Sequence, residues 1–299
     1  MKTQKLATHD SFFHADELFA LAVLKLYLTK QGIKIKIIRS RDPKILAKCD
    51  YLIDVGRRYD PEKKYFDHHQ VDESLTRENG IPYAAFGLVW KHFGQHLVSN
   101  KEIFNHLEKK LVQPIDALDN ALKISKPLIE DLSEYNLAMG IGAISSAFPE
   151  EEIDKGFNYA LNFVETVLIG EINRAEIKHH SESLVYDLII KQNNPTILIL
   201  DKYLPWKSAT VKNKTIKFVI YPGQKNDKWF VQPAVDTLED FAPARIPFPS
   251  SWMGKENEAL YEVSQIIDAI FCHKSGYLGT AKTKEAAMEM AKKALENQS

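Results

Sequence analysis

The sequence contains few cysteines. Cys49 and Cys272 are the only two among 299 residues, and they do not form a CxxC pair. This excludes a disulfide framework and a cysteine-based zinc site, because both need several thiols at defined spacing. The two cysteines are therefore predicted to be structural.

The sequence also lacks long apolar runs and an excess of positive charge. Its longest apolar run, Leu18 to Leu24, is far shorter than the roughly 20 residues that span a bilayer. The N-terminus has no apolar segment typical of a secretory signal, so we expect a cytoplasmic protein without membrane contact. The net charge is −1, with lysines and arginines scattered among acids. This excludes broad neutralisation of a long nucleic acid, so such a substrate would have to be bound locally.

The composition, 44% hydrophobic and 26% charged, is that of a packed protein long enough for two domains. Strand and helix patterns predict a first domain over 1–150. Apolar residues then recur at helical spacing from Ile153 to about Ile190, which predicts a helical linker over 151–194, either one helix or two broken near Gly170. A smaller α/β domain is predicted over 195–299.

Polar side chains follow three predicted strands of the first domain. His9 follows one strand, Asp54 lies near the end of another, and the triplet Asp67-His68-His69 follows a third. A parallel or mixed sheet would bring all three to one edge, where ligands gather in open α/β folds. Imidazole and carboxylate together suit ions such as Mn²⁺ or Zn²⁺. The triplet alone would fit a solvated turn equally well.

Other candidates lie on predicted helices and have simple structural interpretations. Asp16 falls in a first helical turn, where the helix dipole favours an acid. Asp116 and Asp119, three residues apart, share one helix face that could be a solvated helix end. His179 and His180 are predicted to be solvated, and Gly140-Ile141-Gly142 is predicted to form a turn.

The second domain is predicted to contain a hairpin and a glycine-bearing loop. Thr215–Tyr221 and Lys228–Gln232 are the hairpin strands. A strand at Ala269–His273 precedes the loop, and a final helix begins at Thr283. The loop could present N–H groups to an anion or could be a plain connection.

Together these motifs resemble the DHH phosphoesterase superfamily and, within it, the family named for the melanocyte-proliferating gene, whose eukaryotic members are 3′ to 5′ RNA exonucleases. The resemblance covers nearly the whole chain. It rests on Thr8-His9-Asp10, Phe13-His14-Ala15-Asp16, Asp54-Val55-Gly56, Phe66-Asp67-His68-His69-Gln70, Gly87 to Gly94, Asp116-Ala117-Leu118-Asp119-Asn120, Pro205-Trp206-Lys207, Phe218 to Tyr221, Ala244-Arg245-Ile246-Pro247 and Phe271 to Tyr277.

The resemblance implies a parallel-sheet α/β phosphoesterase domain with two divalent ions, usually Mn²⁺ with Mg²⁺ as the alternative, a linker helix, and a smaller C-terminal α/β substrate-binding domain. The metal ligands it implies are His9, His14, Asp16, Asp54, His68 and Asp119, with Asp116 as the substitute for Asp119. His69 would face the scissile phosphate, and Asp67 would either bind metal or orient His68. Arg245, His273, Ser275 and Gly276 would hold the terminal nucleotide.

The implied function is divalent-metal-dependent, 3′ to 5′ exonucleolytic hydrolysis of RNA or short oligonucleotides. Two alternatives stay open: a phosphoesterase acting on dinucleotides, nucleoside phosphates or pyrophosphate, and a metal-containing binding protein without turnover. Ser11 and Arg57 stand where the family has glycines, so we expect an altered loop beside the site. The preference for RNA over DNA and the oligomeric state, a homodimer included, stay open.

Overall fold

The computed structural model describes residues 3–70, 75–225, 227–239 and 242–297. The chain forms two compact units, Met1–Glu176 and Ile177–Ser299. The sequence-based domains 1–150, 151–194 and 195–299 remain a prediction, because they assign roles that this grouping does not address.

The first unit is built on a five-stranded sheet in the order β2-β1-β3-β5-β4. Its strands are β1 (Thr3–Thr8), β2 (Lys34–Arg39), β3 (Tyr51–Ile53), β4 (Tyr59–Asp60) and β5 (Tyr65–Phe66). β1 pairs in parallel with β2 and β3, and β3 pairs in parallel with β5, whereas β4 is an antiparallel edge strand. The predicted α/β class with a mainly parallel sheet is confirmed.

One helix of the first unit is buried along almost its whole first half. The helix α1 (Ala15–Lys30) has no exposed residue from Ala15 to Leu24, and Phe19 stacks on Phe86 with ring centroids 4.9 Å apart. A helix that is apolar all round needs packing on several sides to be stable. The core therefore fixes α1 and, with it, the polar residues of its first turn.

Shorter helices complete this unit. They are α2 (Pro43–Leu46), α3 (Ala85–Phe93), α4 (Lys101–Leu107), α5 (Gln113–Asp119) and α6 (Leu137–Ser146). The helices α4 and α5 are joined by a π-helical turn over Glu108–Val112. The predicted turn at Gly140-Ile141-Gly142 is wrong, because these residues lie inside α6, which Asn136 caps by accepting a hydrogen bond from Met139 N–H at 3.0 Å.

The predicted linker region is a single helix. The helix α7 (Ile153–Lys191) is 39 residues long, so the alternative of two helices broken near Gly170 is wrong. Among the residues that the structure describes, neither α7 nor any other helix combines the length and apolarity needed to cross a membrane.

The second unit has its own five-stranded sheet, in the order β6-β7-β8-β10-β9. Its elements are β6 (Ile197–Ile199), α8 (Lys207–Lys212), β7 (Phe218–Pro222), β8 (Trp229–Pro233), α9 (Asn257–Ser264), β9 (Ala269–Cys272), β10 (Gly279–Ala281) and α10 (Lys284–Glu296). The predicted hairpin is confirmed, because β7 and β8 pair in antiparallel register. The predicted glycine-bearing loop between the strand at Ala269–His273 and the last helix contains β10, which the sequence pattern did not indicate. The start of the last helix is confirmed: Thr283 caps α10 by accepting a hydrogen bond from Ala286 N–H.

Candidate metal centre

Three chain segments bring polar side chains to the carboxyl edge of the first sheet. His9 follows β1, Asp54 follows β3, and Asp67, His68 and His69 follow β5. Because β1, β3 and β5 are adjacent and parallel, their carboxyl ends meet at one edge.

Two helices add acids to this edge. Asp16 and Glu17 lie in the first turn of α1 and are fully buried, and Asp119 is the last residue of α5. Three groups of these side chains have ligand atoms close enough to hold a metal ion: His9, His14, Glu17 and Asp54; Asp54, His68 and His69; and His14, Asp16 and Asp119. All six ligands implied by the resemblance fall within these groups, although their roles stay a prediction.

Asp54 lies at the centre of the cluster. Its Oδ2 is 3.3 Å from His9 Nε2, and its Oδ1 is 3.3 Å from His68 Nε2 and 3.4 Å from His69 Nδ1. His68 Nε2 is also 3.3 Å from Asp119 Oδ2 and 3.9 Å from Asp16 Oδ2. One carboxylate therefore connects two of the candidate ligand groups.

The donor set fits divalent cations. His9 Nδ1 lies 3.0 Å from the carbonyl oxygen of Asp10, which can only accept, so the neutral ring carries its proton there and leaves the Nε2 lone pair facing Asp54 and Glu17. Among the described residues, Asp16 Oδ1, Glu17 Oε2, Asp54 Oδ1 and His68 Nε2 are buried polar atoms that make no well-aligned hydrogen bond, although Asp54 Oδ1 and His68 Nε2 lie 3.3 Å apart. Buried unsatisfied acceptors are costly, and a cation in their midst would satisfy them.

Burial and mutual repulsion set the protonation of this cluster. Burial, with the charges of Asp54 and Asp119, raises the pKa of Asp16 well above its usual range. Burial lowers the pKa of His9, but its contacts with Asp54 and Glu17 outweigh this and raise it to about 10. Without a cation, the carboxylates thus favour the protonated form of the neighbouring imidazole rings. Metal binding would release these protons.

His69 is oriented by Asp67. Its Nδ1 lies 2.8 Å from Asp67 Oδ1, and this contact raises the pKa of His69. Orientation of His68 is one of the two roles predicted for Asp67, but the ring that is hydrogen-bonded to Asp67 is that of His69. Asp67 Oδ2 accepts a hydrogen bond from the backbone N–H of Arg57 at 2.6 Å, which ties the loop after β3 to the loop after β5.

A cavity of about 720 Å³ opens beside the cluster. His9, His14, Asp54, Asp67 and His69 line one part of it. Two arginines, Arg41 and Arg57, and an apolar surface that includes Pro43, Ala47 and Tyr65 line the rest. Arg41 was not singled out in the sequence; its Nη1 donates to the backbone oxygen of Asp10 at 2.7 Å. The cavity combines cationic, apolar and candidate metal-binding surfaces.

Ser11 and Arg57, the two positions at which the resemblance implies glycine, both adopt left-handed backbone conformations, with φ of 67° and 53°. We expect Arg57→Gly to raise the free energy of unfolding by up to about 1 kcal/mol, because the left-handed region costs an L-residue about 1–2 kcal/mol and glycine's greater freedom in the unfolded chain offsets part of this gain. Urea unfolding measures the change. Arg57→Ala is the matched control, since it removes the same side chain but keeps Cβ; an equal gain in both variants would contradict the backbone explanation.

Asp116 is engaged away from the cluster. It is fully buried, its Oδ2 is 2.7 Å from Arg77 Nη2, and its Oδ1 accepts from the backbone N–H of Gly87 at 3.0 Å. Burial raises its pKa to about 7 despite Arg77. This geometry favours Asp119 over Asp116 as the metal ligand of this helix.

Glu17 is the site residue that the sequence analysis missed. Its Oε1 accepts a hydrogen bond from the backbone N–H of His14 at 2.7 Å and lies 3.2 Å from His9 Nε2. The signal was a glutamate three residues after the residue that precedes the helix, which is the spacing of a capping box. That spacing explains Glu17 by helix capping alone, so it gave no reason to expect a metal site.

Arg245, predicted to hold a nucleotide, is bonded within the second unit. Its Nε lies 2.7 Å from Asp236 Oδ1, and its two terminal nitrogens donate to the backbone oxygens of Asn213, Ile216 and Thr210. Its side chain is only 4% exposed. These contacts give Arg245 a structural role, and its predicted substrate contact has no support in the geometry.

The other predicted substrate residues form one tight turn. His273 Nδ1 accepts a hydrogen bond from Ser275 N–H at 3.1 Å, and Gly276 N–H donates to His273 O at 2.8 Å. Gly276 has φ of +66°, and a Cβ there would lie 2.6 Å from Met253 Cε, so the turn requires glycine. Substrate binding by this turn stays a prediction.

Comparisons with known proteins cover the whole chain. An MYG1 protein of Schizosaccharomyces pombe is 32% identical over 98% of this chain and 97% of its own length. The human MYG1 exonuclease is 28% identical over 100% of this chain and 88% of its own length, and an MYG1 protein of Chlamydia trachomatis is 31% identical over 99% and 98%.

Solved structures are more distant. The crystal structure of RecJ from Thermus thermophilus in complex with Mn²⁺ has a TM-score of 0.29 and 12% identity over 98% of this chain, which spans about half (52%) of that protein. A second RecJ exonuclease structure bound to manganese has a TM-score of 0.28 and 13% identity, covering 99% of this chain and 90% of that one.

The family model MYG1_exonuc, described as an uncharacterised protein family (UPF0160), matches residues 5–295. This span contains every candidate site residue, from His9 to Gly276. The family resemblance inferred from the motifs is confirmed, and the chain belongs to the MYG1 exonuclease family.

Proposed function

We propose that this protein is a Mn²⁺-dependent phosphodiesterase that removes nucleotides one by one from the 3′ end of RNA or of short oligonucleotides. The observation that carries the proposal is the convergence of His9, Asp54 and His68 with buried acids of α1 at one sheet edge, where several polar atoms lack partners. Relatives named exonucleases support the reaction class.

The six predicted ligands, with Glu17, would hold two divalent ions. Bound there, such ions supply a nucleophile at neutral pH and neutralise charge on the phosphoryl group. The mixture of imidazole and carboxylate favours Mn²⁺ over Mg²⁺.

The chain's own groups would handle the substrate. His69 holds its Nδ1 proton against Asp67, and the same contact raises the pKa of the ring, which favours the protonated form that can donate from Nε2 to a phosphate or a leaving oxygen. Arg57 and Arg41 line the same cavity and would bind non-bridging phosphate oxygens.

A phosphoesterase acting on dinucleotides or nucleoside phosphates is the second candidate. The cavity beside the cluster, about 720 Å³, lies within the range of small-molecule sites, about 300–1,000 Å³. The net charge of −1 favours the same candidate, because short substrates need little phosphate neutralisation.

Product analysis on a ladder of 5′-labelled RNAs with Mn²⁺ tests the proposal. We expect progressive shortening of the long RNAs, and we expect His68→Ala to remove it, because the variant lacks a ring nitrogen that faces three carboxylates. The matched control is His180→Ala, which removes an exposed histidine of α7.

Each other result has a definite meaning. Cleavage confined to the shortest RNAs would replace the exonuclease with the small-substrate phosphoesterase. Intact RNA at every length, with bound metal, would overturn the exonuclease and, if nucleoside phosphates also stayed intact, the phosphoesterase, and would favour a binding protein. Equal activity of native protein and His68→Ala would place the reaction outside this cluster.

A further inference from the structure

A second cavity, of about 520 Å³, lies in the second unit and has an aromatic lining. Tyr203 precedes α8, whereas Tyr221 and Phe230 lie on β7 and β8 of the hairpin. The hairpin closes through a hydrogen bond from Gly223 N–H to Lys228 O at 2.8 Å. No catalytic or metal-binding role has been given to any of these residues.

The three rings form one continuous surface. Tyr221 stacks on Phe230 with centroids 5.3 Å apart and planes 16° apart, and Tyr203 meets Tyr221 edge to face at 5.1 Å. Tyr221 is nearly buried, and its hydroxyl donates to Gln232 Oε1 at 2.7 Å, which fixes the middle ring. Tyr203 is 54% exposed and Phe230 is half-buried, so the two outer rings are accessible.

Positive charge borders this surface. Lys225 and Lys228 line the cavity with a single acid, Asp227, and Lys228 Nζ is 5.4 Å from the centre of the Phe230 ring. Within the described part of the chain, neither lysine has a carboxylate within ion-pair distance. Aromatic rings alone would suit a sugar or a base, but two cations at the rim favour a ligand that carries phosphates.

We propose that Tyr203, Phe230, Lys225 and Lys228 form a stacking platform for single-stranded nucleic acid, with bases against the rings and phosphates at the lysines. The role of this platform rests on the proposed function, because the platform would be an additional binding site for the chain of a longer RNA substrate. It also supplies the local binding that a protein with a net charge of −1 requires.

Equilibrium binding tests the platform without any need for hydrolysis. The probe is a fluorescent 2′-O-methyl oligouridylate of about twelve nucleotides, titrated with full-length protein and followed by anisotropy. We expect Tyr203→Ala and Phe230→Ala each to weaken binding about tenfold, since each variant loses a ring on which one base stacks. Tyr203→Phe, which keeps the ring, should bind as the native protein does. Lys228→Gln should reduce the slope of log affinity against log salt by about 0.7.

Tyr261→Ala, which removes an exposed ring of α9, is the matched control and should leave binding unchanged. An oligomer of the same length without bases should bind the native protein about tenfold more weakly than the uridylate does. The proposal is overturned if the Tyr203 and Tyr261 variants bind alike, or if the oligomer without bases binds equally well. If Phe230→Ala does not fold, the affinity of Tyr203→Ala, which changes an exposed side chain, still tests the proposal. Because hydrolysis is not the readout, failure of the platform and failure of the proposed exonuclease activity are separate results.

Discussion

Asp16→Asn is expected to reduce hydrolysis by about 10³-fold or more while stabilising the metal-free protein. The loss is expected because the variant binds the cation more weakly, and a bound cation stabilises the transition state by several kcal/mol. Each 1.36 kcal/mol of lost stabilisation lowers the rate tenfold. The gain in stability follows from the burial of Asp16, whose Oδ1 has no hydrogen-bond partner among the described residues and whose charge faces Asp54, Asp119 and Glu17. Asparagine keeps the size of the side chain and removes this charge.

The pH dependence of the stability gain has a definite sign. Burial and the nearby acids raise the pKa of Asp16 in the folded protein above its value in the unfolded chain. The ionised carboxylate therefore costs folding free energy, and the cost appears once the pH rises above the unfolded pKa. The advantage of Asp16→Asn should be small near pH 4 and larger at pH 7, where we expect about 0.5–2 kcal/mol, the range common for a single stabilising substitution.

Urea unfolding in a chelator, metal analysis and RNA hydrolysis together measure this prediction. Asp131→Asn, which neutralises an exposed acid, is the matched control and should change none of the three. If Asp16→Asn lost activity because it unfolded, the metal-free protein would be less stable than native. If the Asp16→Asn variant kept both its metal content and its activity, Asp16 would only be an acid in the first turn of α1 that the helix dipole favours, which is its structural interpretation in the sequence analysis.

The polar sheet edge could be predicted from the sequence because each of its residues directly follows a strand that a local pattern indicates. His9, Asp54 and His68 each follow a short strand, and parallel strands have only one carboxyl edge. The helix α6 and the strand β10 could not be predicted in this way. Two glycines within three residues favour a turn, yet the Asn136 cap and packing of Ile141 hold them in a helix. β10 has three residues and exists through its pairing with β8 and β9.

The choice of partners for charged side chains is the part of the site that the sequence could not decide. Asp116 and Asp119 share one face of α5, but Arg77, 39 residues before Asp116 in the chain, binds the first and leaves the second for the cluster. No partner of Arg245 could be identified from the sequence either, yet its side-chain nitrogens donate hydrogen bonds to four acceptors of the protein. Such pairings depend on tertiary packing, which no local pattern encodes.

The same buried pair makes Gly87 irreplaceable. A Cβ at Gly87 would overlap Asp116 Oδ2 and Arg77 Nη2 and would lie 2.9 Å from Asp116 Cγ. Neither side chain can move aside freely, because Arg77 also bonds Glu108 at 2.7 Å and both are buried. We expect Gly87→Ala to lower the free energy of unfolding by about 3–5 kcal/mol, the usual cost of disrupting a buried ion pair. Since α5 carries Asp119, metal affinity should fall with it.

Thermal and urea unfolding of the metal-free protein measure this effect, and Gly170→Ala is the matched control. Gly170 lies inside α7, and a Cβ added there would meet no described atom within 4 Å beyond its chain neighbours and the nearby backbone of the same helix. Alanine should therefore raise the free energy of unfolding by about 0.5–1 kcal/mol through helix propensity alone. The two substitutions add the same methyl group to a helix and are expected to have opposite signs. A loss below about 1 kcal/mol for Gly87→Ala would mean that Arg77 and Asp116 separate at little cost, and the pair would then have no role in holding α5 and Asp119 in place.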